Sequence, residues 1–155
     1  MAQVRIDISG WDFNEISNKF ANVRESLSNE IIEHINRLSD IHEFLECGTY
    51  FHTKRQLILE DIHTYMDTVL LLENEADVRK SAVLSSVISN PTDSFAYKSK
   101  DEKLLLVNGD TQVARLNQFI NLFKNQILFL DETKKTVEGV IYHMKDRLTI
   151  QKELG

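Results

Sequence analysis

The side chains whose types and spacing could do chemistry in this sequence are mostly basic. Residues 95–103, FAYKSKDEK, contain three lysines and two aromatic rings within nine positions. Ammonium groups neutralise phosphates, and aromatic rings stack on unpaired bases. Arg79 and Lys80 form a second basic cluster late in a predicted helix. The pattern indicates contact with single-stranded nucleic acid. The alternative interpretation is an ordinary surface loop that carries lysines and one buried aromatic ring.

The histidines and acidic residues do not form a recognisable catalytic motif. Glu30 and His34 lie four residues apart, as do His42 and Glu46, but no Glu-x-x-His pair recurs as a bundle di-metal site requires. The sequence also lacks His-Glu-x-x-His, Gly-x-Ser-x-Gly and a glycine-rich phosphate loop. The acids of ENEAD, residues 73–77, are interpreted as a solvated helix face. We therefore predict no enzyme, no metal and no cofactor.

Composition is typical of one folded domain. The chain has 155 residues, of which 42% are hydrophobic and 27% charged, and only one proline and five glycines. The net charge is −6, but residues 96–155 carry ten basic and eight acidic side chains, a balance of +2. A polyanion is therefore expected to contact the second part of the chain. The single cysteine, Cys47, excludes an intramolecular disulfide and is expected to be a buried thiol.

Neither a secretory signal nor a membrane-spanning run is predicted. Arg5, Asp7, Asp12 and Glu15 interrupt the N-terminal region, and no run of 18 apolar residues occurs. We expect a cytoplasmic protein, in the host cytoplasm if it is viral, that makes no contact with a membrane.

Hydrophobic periodicity predicts a mainly α fold. Residues 3–9, QVRIDIS, alternate apolar and polar positions and predict a short N-terminal strand. A helical stripe follows from Phe13 to Leu45, with Gly48 as its natural stop. A second stripe from residue 58 to 76 has coiled-coil spacing, and this helix is predicted to end before residues 89–94, which contain the only proline.

The last predicted helix gives the most regular pattern. Apolar residues recur at alternating spacings of three and four over five heptads, interrupted only by Lys134. A helix over residues 111–152 would be about 63 Å long, whereas a compact globule of this size has a diameter of roughly 40 Å. Its apolar seam must therefore be covered by other helices or other subunits. We predict an elongated, long-helix, coiled-coil-like bundle that forms an oligomer.

The predicted organisation is a single helical domain over residues 1–155. It comprises a strand and long helices over 1–90, a loop over 91–110 and a long helix over 111–153. Within the loop, residues 103–107 fit a strand or a helical turn, and Asp110 is suited to cap the helix that follows. The seam residues predicted to bury the last helix and support assembly are Phe123, Ile127, Leu130, Val137, Ile141 and Met144.

Two positions in the last helix depart from the pattern. Lys134 either fixes helix register and oligomeric state, as a lone polar seam residue can, or turns its ammonium to the helix edge. Gly139 weakens the helix and is predicted to permit a bend or a close approach where subunits meet.

The last third of the chain resembles the C-terminal part of the phage recombination mediator UvsY family. The resemblance covers mainly residues 98–152, with a lysine- and glutamate-rich lead-in (Lys100, Glu102), a short turn that ends in Asp110 and a long amphipathic helix. That helix carries Val113, Phe129 and Lys145 at matching positions.

The resemblance implies a helical, non-enzymatic protein that assembles into a ring-like homo-oligomer. Such a mediator binds single-stranded DNA and helps load a RecA-like recombinase where a single-strand-binding protein is present. The late-helix basic patch of the family corresponds to Arg79 and Lys80. The residues expected to bind DNA are Arg79, Lys80, Tyr97, Lys98, Lys100 and Lys103. The alternative hypothesis is a coiled-coil structural or adaptor protein, such as a viral assembly factor.

Overall fold

A computed structural model describes residues 4–89 and 105–154, with side chains described for 4–86 and 105–154. Three helices account for most of them: α1 over Phe13–Arg37, α2 over Phe44–Ser89 and α3 over Thr111–Leu154. Residues 105–108 form one short helical turn, so the helical alternative for that segment is confirmed where it is described. The predicted mainly α fold with long helices is confirmed.

The predicted N-terminal strand is not formed within the described protomer. Residues 4–8 have no regular secondary structure, and the described part of the chain contains no strand. An alternating pattern makes a strand only where a neighbouring strand accepts its backbone hydrogen bonds. Here the segment lies against α2 and α3, whose backbone groups are already paired within each helix.

The break between the first two helices lies elsewhere than predicted. α1 ends at Arg37, and α2 begins at Phe44 and continues through Gly48. In the turns between them, Asp40 Oδ1 accepts a hydrogen bond from the His42 backbone N–H at 2.9 Å. Such local side-chain bonds compete with helical ones, which the periodicity does not reveal.

Gly48 therefore lies inside a helix and has a different role from the predicted stop. A Cβ at this position would come within 3.1 Å of Met144 Cε. Gly48 thus leaves room for the end of the Met144 side chain of α3.

The described chain divides into two compact units. One comprises Met1–Phe13 with Met66–Lys124, and the other comprises Asn14–Tyr65 with Asn125–Gly155. We call them the first and the second unit. A single domain over residues 1–155 stays a prediction.

The second unit is a three-helix bundle around one apolar core. α1 contributes Ile31, and α2 contributes Phe51, which is fully buried. The remaining core residues of this cluster are Phe44, Cys47, Ile58, Ile62, Leu130, Val137, Ile141 and Met144. Apolar burial of this kind is the main favourable free energy that holds helices together.

The core of the first unit lies between α2 and α3, under the N-terminal segment. Leu72 and Ala76 of α2 are buried, as are Val113, Leu116, Phe119, Ile120 and Phe123 of α3. The Trp11 ring packs edge-on against Phe119 at a centroid distance of 5.3 Å. Val107, in the short helical turn, is also buried.

Gln126 is a buried polar residue in the second unit. Its side chain is 0% exposed, and its Oε1 accepts a hydrogen bond of 2.8 Å from the Arg24 guanidinium. Its Nε2 has no hydrogen-bond partner among the described residues. The seam periodicity did not identify this position, because the pattern counts apolar residues alone.

No helix in residues 4–89 or 105–154 contains a stretch that is long and apolar enough to cross a bilayer.

Leu130 and Leu128 provide a matched test of this packing. They are two residues apart on α3, yet Leu130 is 1% exposed and Leu128 is 61% exposed. We expect Leu130→Ala to lower the free energy of unfolding by about 2–5 kcal/mol because it leaves a cavity. Leu128→Ala should change it by less than about 0.5 kcal/mol. Urea unfolding followed by circular dichroism measures both, and equal losses would contradict the assigned orientation of α3.

Candidate nucleic-acid interface

The described part of the candidate interface is organised by an ion pair between Arg79 of α2 and Asp110. Arg79 donates from Nε to Oδ2 and from a terminal nitrogen to Oδ1, each at 3.2 Å. This two-pronged geometry matches the planar guanidinium to the planar carboxylate. Arg79 occupies a seam position of the α2 stripe, and the pair explains why that position is charged.

Asp110 also caps α3, as predicted. Its Oδ2 accepts hydrogen bonds from the backbone N–H groups of Gln112 and Val113, each at 3.1 Å. These N–H groups have no partner inside the helix. The Arg79 hydrogen bond, followed by those backbone bonds, holds the pKa of the Asp110 carboxyl below its usual value. The same interaction raises the pKa of Arg79.

The bridge defines the two ends of the segment that carries the predicted DNA-binding residues. Residues 80–109 connect Arg79 to its partner Asp110 in the sequence, and residues 80–89 still belong to α2. Lys80, at the start of that segment, is half-buried. Tyr97, Lys98, Lys100 and Lys103 lie outside the described residues.

The bridge changes what Arg79 can contribute to phosphate binding. A guanidinium has five N–H donors, and two of them are bonded to Asp110. Three donors remain for a phosphate oxygen, but the carboxylate offsets the positive charge. Arg79 is therefore suited to orient a phosphate more than to attract one from a distance.

The acids of ENEAD are not simply a solvated face, which corrects that interpretation. Glu73 pairs with Lys124 of α3 at 3.0 Å. Glu75 accepts hydrogen bonds from the Arg5 guanidinium, one of them at 3.1 Å, and this pairing lowers the pKa of Glu75. Asp77 alone of the three is exposed. Two acids thus connect α2 to other parts of the first unit.

The N-terminal segment is attached to the first unit at a second point, around Trp11. Arg115 of α3 donates a hydrogen bond to the Trp11 carbonyl oxygen and lies over the Phe119 ring at 5.6 Å. The Phe13 ring is 5.7 Å from Phe119. Between segment and helices lies a pocket of about 210 Å³, lined in part by Ile6 and Gln112. Pockets for drug-sized ligands usually measure about 300–1,000 Å³, so this pocket lies below that range.

The second unit has a larger groove between α1 and α2, with a volume of about 480 Å³. Its apolar floor and charged rim are formed by Lys19, Asn22, Val23, Ser26, Leu27, Glu30, Lys54, Leu57, Ile58 and Asp61. Val23 and Leu57 are large apolar residues that stay exposed there. We call this surface the α1–α2 groove.

A polar network closes one end of the α1–α2 groove. Glu30 accepts a hydrogen bond from the Tyr50 hydroxyl at 2.8 Å and pairs with Lys54 at 2.9 Å. Burial opposes ionisation of Glu30, but these two partners hold its pKa below the usual value. Burial, together with the Glu30 carboxylate, raises the pKa of Tyr50. The His34 ring stacks on Tyr50 at a centroid distance of 3.5 Å.

The described residues hold no group of three or more His, Cys, Asp or Glu side chains arranged for a metal ion. His34 is instead part of the packing, since its Nδ1 lies 2.7 Å from the Glu30 carbonyl oxygen. Cys47 is fully buried, as expected, and burial raises the pKa of its thiol.

The seam residues predicted to support assembly are covered within one chain. Leu130, Val137, Ile141 and Met144 belong to the core of the second unit, and Ile127 packs against that core. Phe123 is buried in the first unit, 6.0 Å from the Trp11 ring. Their role in assembly stays a prediction, and substitutions there would first destabilise the protomer.

Lys134 turns its charge to the edge of its own helix. Its ammonium lies 3.4 Å from Asp131, one turn earlier on α3, and its side chain is 22% exposed. This is the arrangement of a lysine that covers apolar surface with its stem. Apart from its own stretch of helix, none of the described residues lies within 4 Å of a Cβ at Gly139, so Gly139 serves no close approach between the described helices.

Searches against models of protein families, curated proteins and solved structures gave no match to this chain. The resemblance to the UvsY family therefore stays a prediction from the sequence.

Replacing Arg79 tests the bridge through the titration of Asp110. The carboxyl should titrate below its ordinary pKa of about 3.9 in the wild type, and Arg79→Gln should raise that pKa. Because the folded-state pKa is depressed, the stabilisation is complete above about pH 4 and is lost as pH falls through the folded-state value. Carbon-detected NMR of the Asp110 carboxyl measures the shift directly.

Lys124→Gln provides the control for this experiment. Like Arg79→Gln, it removes one positive charge from the first unit, but the ion pair that it disrupts is Lys124–Glu73 and not Arg79–Asp110. It should leave the pKa of Asp110 unchanged. Equal pKa values for Asp110 in the wild type and in Arg79→Gln would show that the bridge does not form in solution.

Proposed function

We propose that this protein is a non-enzymatic accessory factor that binds single-stranded DNA as a homo-oligomer. In this role it assists the loading of a RecA-like recombinase in the presence of a single-strand-binding protein, in the cytoplasm of the host if it is viral. The observation that supports the proposal most directly is the Arg79–Asp110 bridge. Because of it, the stretch of sequence that contains Lys80 and the lysines of residues 98–103 has its two flanking residues, Arg79 and Asp110, in contact.

The lysines carry most of the proposed attraction for phosphate. Asp110 offsets the charge of Arg79, whereas the stretch between these two residues contains four lysines and three acidic residues. The lysines are Lys80, Lys98, Lys100 and Lys103, and the acids are Asp93, Asp101 and Glu102. Four phosphate contacts on a single strand correspond to a slope of about −3 in log affinity against log salt concentration. Tyr97 is proposed to stack on one base, which favours single strands over duplex.

An oligomer makes this modest set of contacts sufficient. Four lysines per protomer give weak binding at physiological salt. Several protomers bound to one strand add their contacts, because each later contact forms at a high effective concentration. The proposal accordingly predicts that binding strengthens with oligonucleotide length.

The α1–α2 groove favours a second candidate, a coiled-coil structural or adaptor protein. The groove exposes Val23 and Leu57 beside charged Lys19 and Asp61. Apolar floors with polar rims are typical of surfaces that receive an amphipathic helix. The overall charge of −6 is also easier to reconcile with a protein partner than with DNA.

Charge reversal in the loop separates the two candidates. We expect labelled oligothymidylate to bind the wild type at low salt, measured by fluorescence anisotropy. The triple variant Lys98→Glu, Lys100→Glu and Lys103→Glu should weaken binding at least tenfold. It should also make the salt slope shallower by about 2, since three phosphate contacts are lost.

A matched variant controls for net charge. Lys19, Lys145 and Lys152 are exposed and lie outside the loop, so Lys19→Glu, Lys145→Glu and Lys152→Glu change the charge equally. This control should retain nearly wild-type affinity. Equal losses in both variants would mean that the loop is not the binding surface. No binding by the wild type at low salt would exclude the DNA-binding function and favour the adaptor.

A further inference from the structure

The N-terminal residues 4–8, VRIDI, have backbone groups that no other part of the described chain satisfies. The segment has no regular secondary structure. Among its residues, only the Ile8 carbonyl oxygen takes part in a backbone hydrogen bond within the described chain, with the Trp11 N–H at 3.0 Å. Free N–H and C=O groups along several consecutive residues are what an added strand requires.

The segment is nevertheless attached to the first unit near both of its ends. Arg5 pairs with Glu75 of α2, and the Trp11 carbonyl accepts a hydrogen bond from Arg115 of α3. Attachment reduces the conformational entropy that an interaction partner would have to remove. Val4 remains 76% exposed, so the segment also presents an apolar side chain to solvent.

The sequence of the segment is complementary to itself when run antiparallel. With Ile6 opposite Ile6 of a second copy, each Arg5 lies across from an Asp7 and each Val4 across from an Ile8. Cross-strand pairs of opposite charge and pairs of β-branched residues both stabilise antiparallel strands. A two-fold axis through Ile6 forms each of these pairs twice, as an isologous contact requires.

Arg5 and Asp7 both keep hydrogen-bonding groups with which they can form the cross-strand pair. Arg5 contacts Glu75 through Nε and one terminal nitrogen, which leaves further N–H donors free. Asp7 uses Oδ1 to accept the Ser9 backbone N–H at 2.9 Å, which leaves Oδ2. Cross-strand contacts therefore do not require the existing ones to break.

We propose that residues 4–8 form an antiparallel strand pair with the same residues of a second copy of this chain, in the register that places Ile6 opposite Ile6. The alternating apolar and polar residues of this segment then correspond to a strand whose hydrogen-bonding partner lies in another molecule. A pair of five-residue strands is only marginally stable by itself. The strand pair is therefore proposed to add to contacts made elsewhere in an oligomer. The inference does not depend on DNA binding.

Engineered cysteines test the pairing and its register in the absence of DNA. Opposed residues of antiparallel strands have Cα atoms about 4.5–5.5 Å apart, within the range of a disulfide. Ile6→Cys should therefore form a disulfide-linked dimer on oxidation with copper phenanthroline. Arg5→Cys should form at least fivefold less disulfide-linked dimer, since the Cα atoms of position 5 in the two copies would be roughly 8 Å apart.

A mixture of single variants tests the predicted cross pairs. Val4→Cys and Ile8→Cys should each cross-link poorly alone but well when mixed. Native Cys47 is buried, so the wild type is the background control. Efficient self-linking at positions 4, 6 and 8 alike would indicate parallel pairing and overturn the proposal. Cross-linking of Ile6→Cys no greater than that of Arg5→Cys or the wild type would also overturn it.

Charge exchange provides a second measurement that does not use cysteine. Arg5→Asp and Asp7→Arg each place like charges across the pair, so each should lower the dimer fraction in sedimentation velocity. The double variant restores opposite charges and should recover dimer above either single variant. Helical content from circular dichroism should stay at the wild-type value in all three, and a double variant no better than the singles would contradict the register.

Discussion

The apolar stripe of α3 is the constraint on which the other parts of the structure depend. A long helix with one apolar face is unstable in water until that face is covered. In the second unit α1 and α2 cover it, through residues such as Ile31 and Phe51. In the first unit α2 and the N-terminal segment around Trp11 cover it, with Phe119 between them. Each unit thus has its own core, and each core includes part of the same helix.

Polar residues at or beside the apolar stripes are accommodated in three physically different ways. Arg79 is neutralised by the carboxylate that caps α3. Lys134 reaches Asp131 at the helix edge and keeps its stem against apolar surface. Gln126 is enclosed, with Arg24 bonded to its oxygen and no partner for its nitrogen among the described residues. A single rule for these polar residues would therefore have been wrong, because the outcome depends on which partner lies within reach.

Ion pairing also determines how the charges of this protein can act on a partner. Arg79, Arg5 and Lys124 each face a carboxylate in the first unit, so their long-range attraction for a polyanion is reduced. The proposed DNA contact accordingly rests on lysines 80, 98, 100 and 103, which lie between Arg79 and Asp110 in the sequence. The α1–α2 groove instead combines apolar surface with charges of both signs, which suits an amphipathic helix. The two candidate functions thus use different units of the chain.

The sequence by itself determined the features that depend on local periodicity. It predicted three long helical stripes, the start of α3 after the capping Asp110 and the burial of Leu130, Val137 and Met144, because spacing and capping act within one helix. It mislocated the α1–α2 break, where side-chain bonds of Ser39 and Asp40 replace helical ones. Only the tertiary structure decided that the α3 seam is covered inside one chain, that Arg79 pairs with Asp110 and that VRIDI has no strand beside it in the described protomer. Those outcomes depend on which distant residues come into contact, and a spacing pattern states only that a face must be covered.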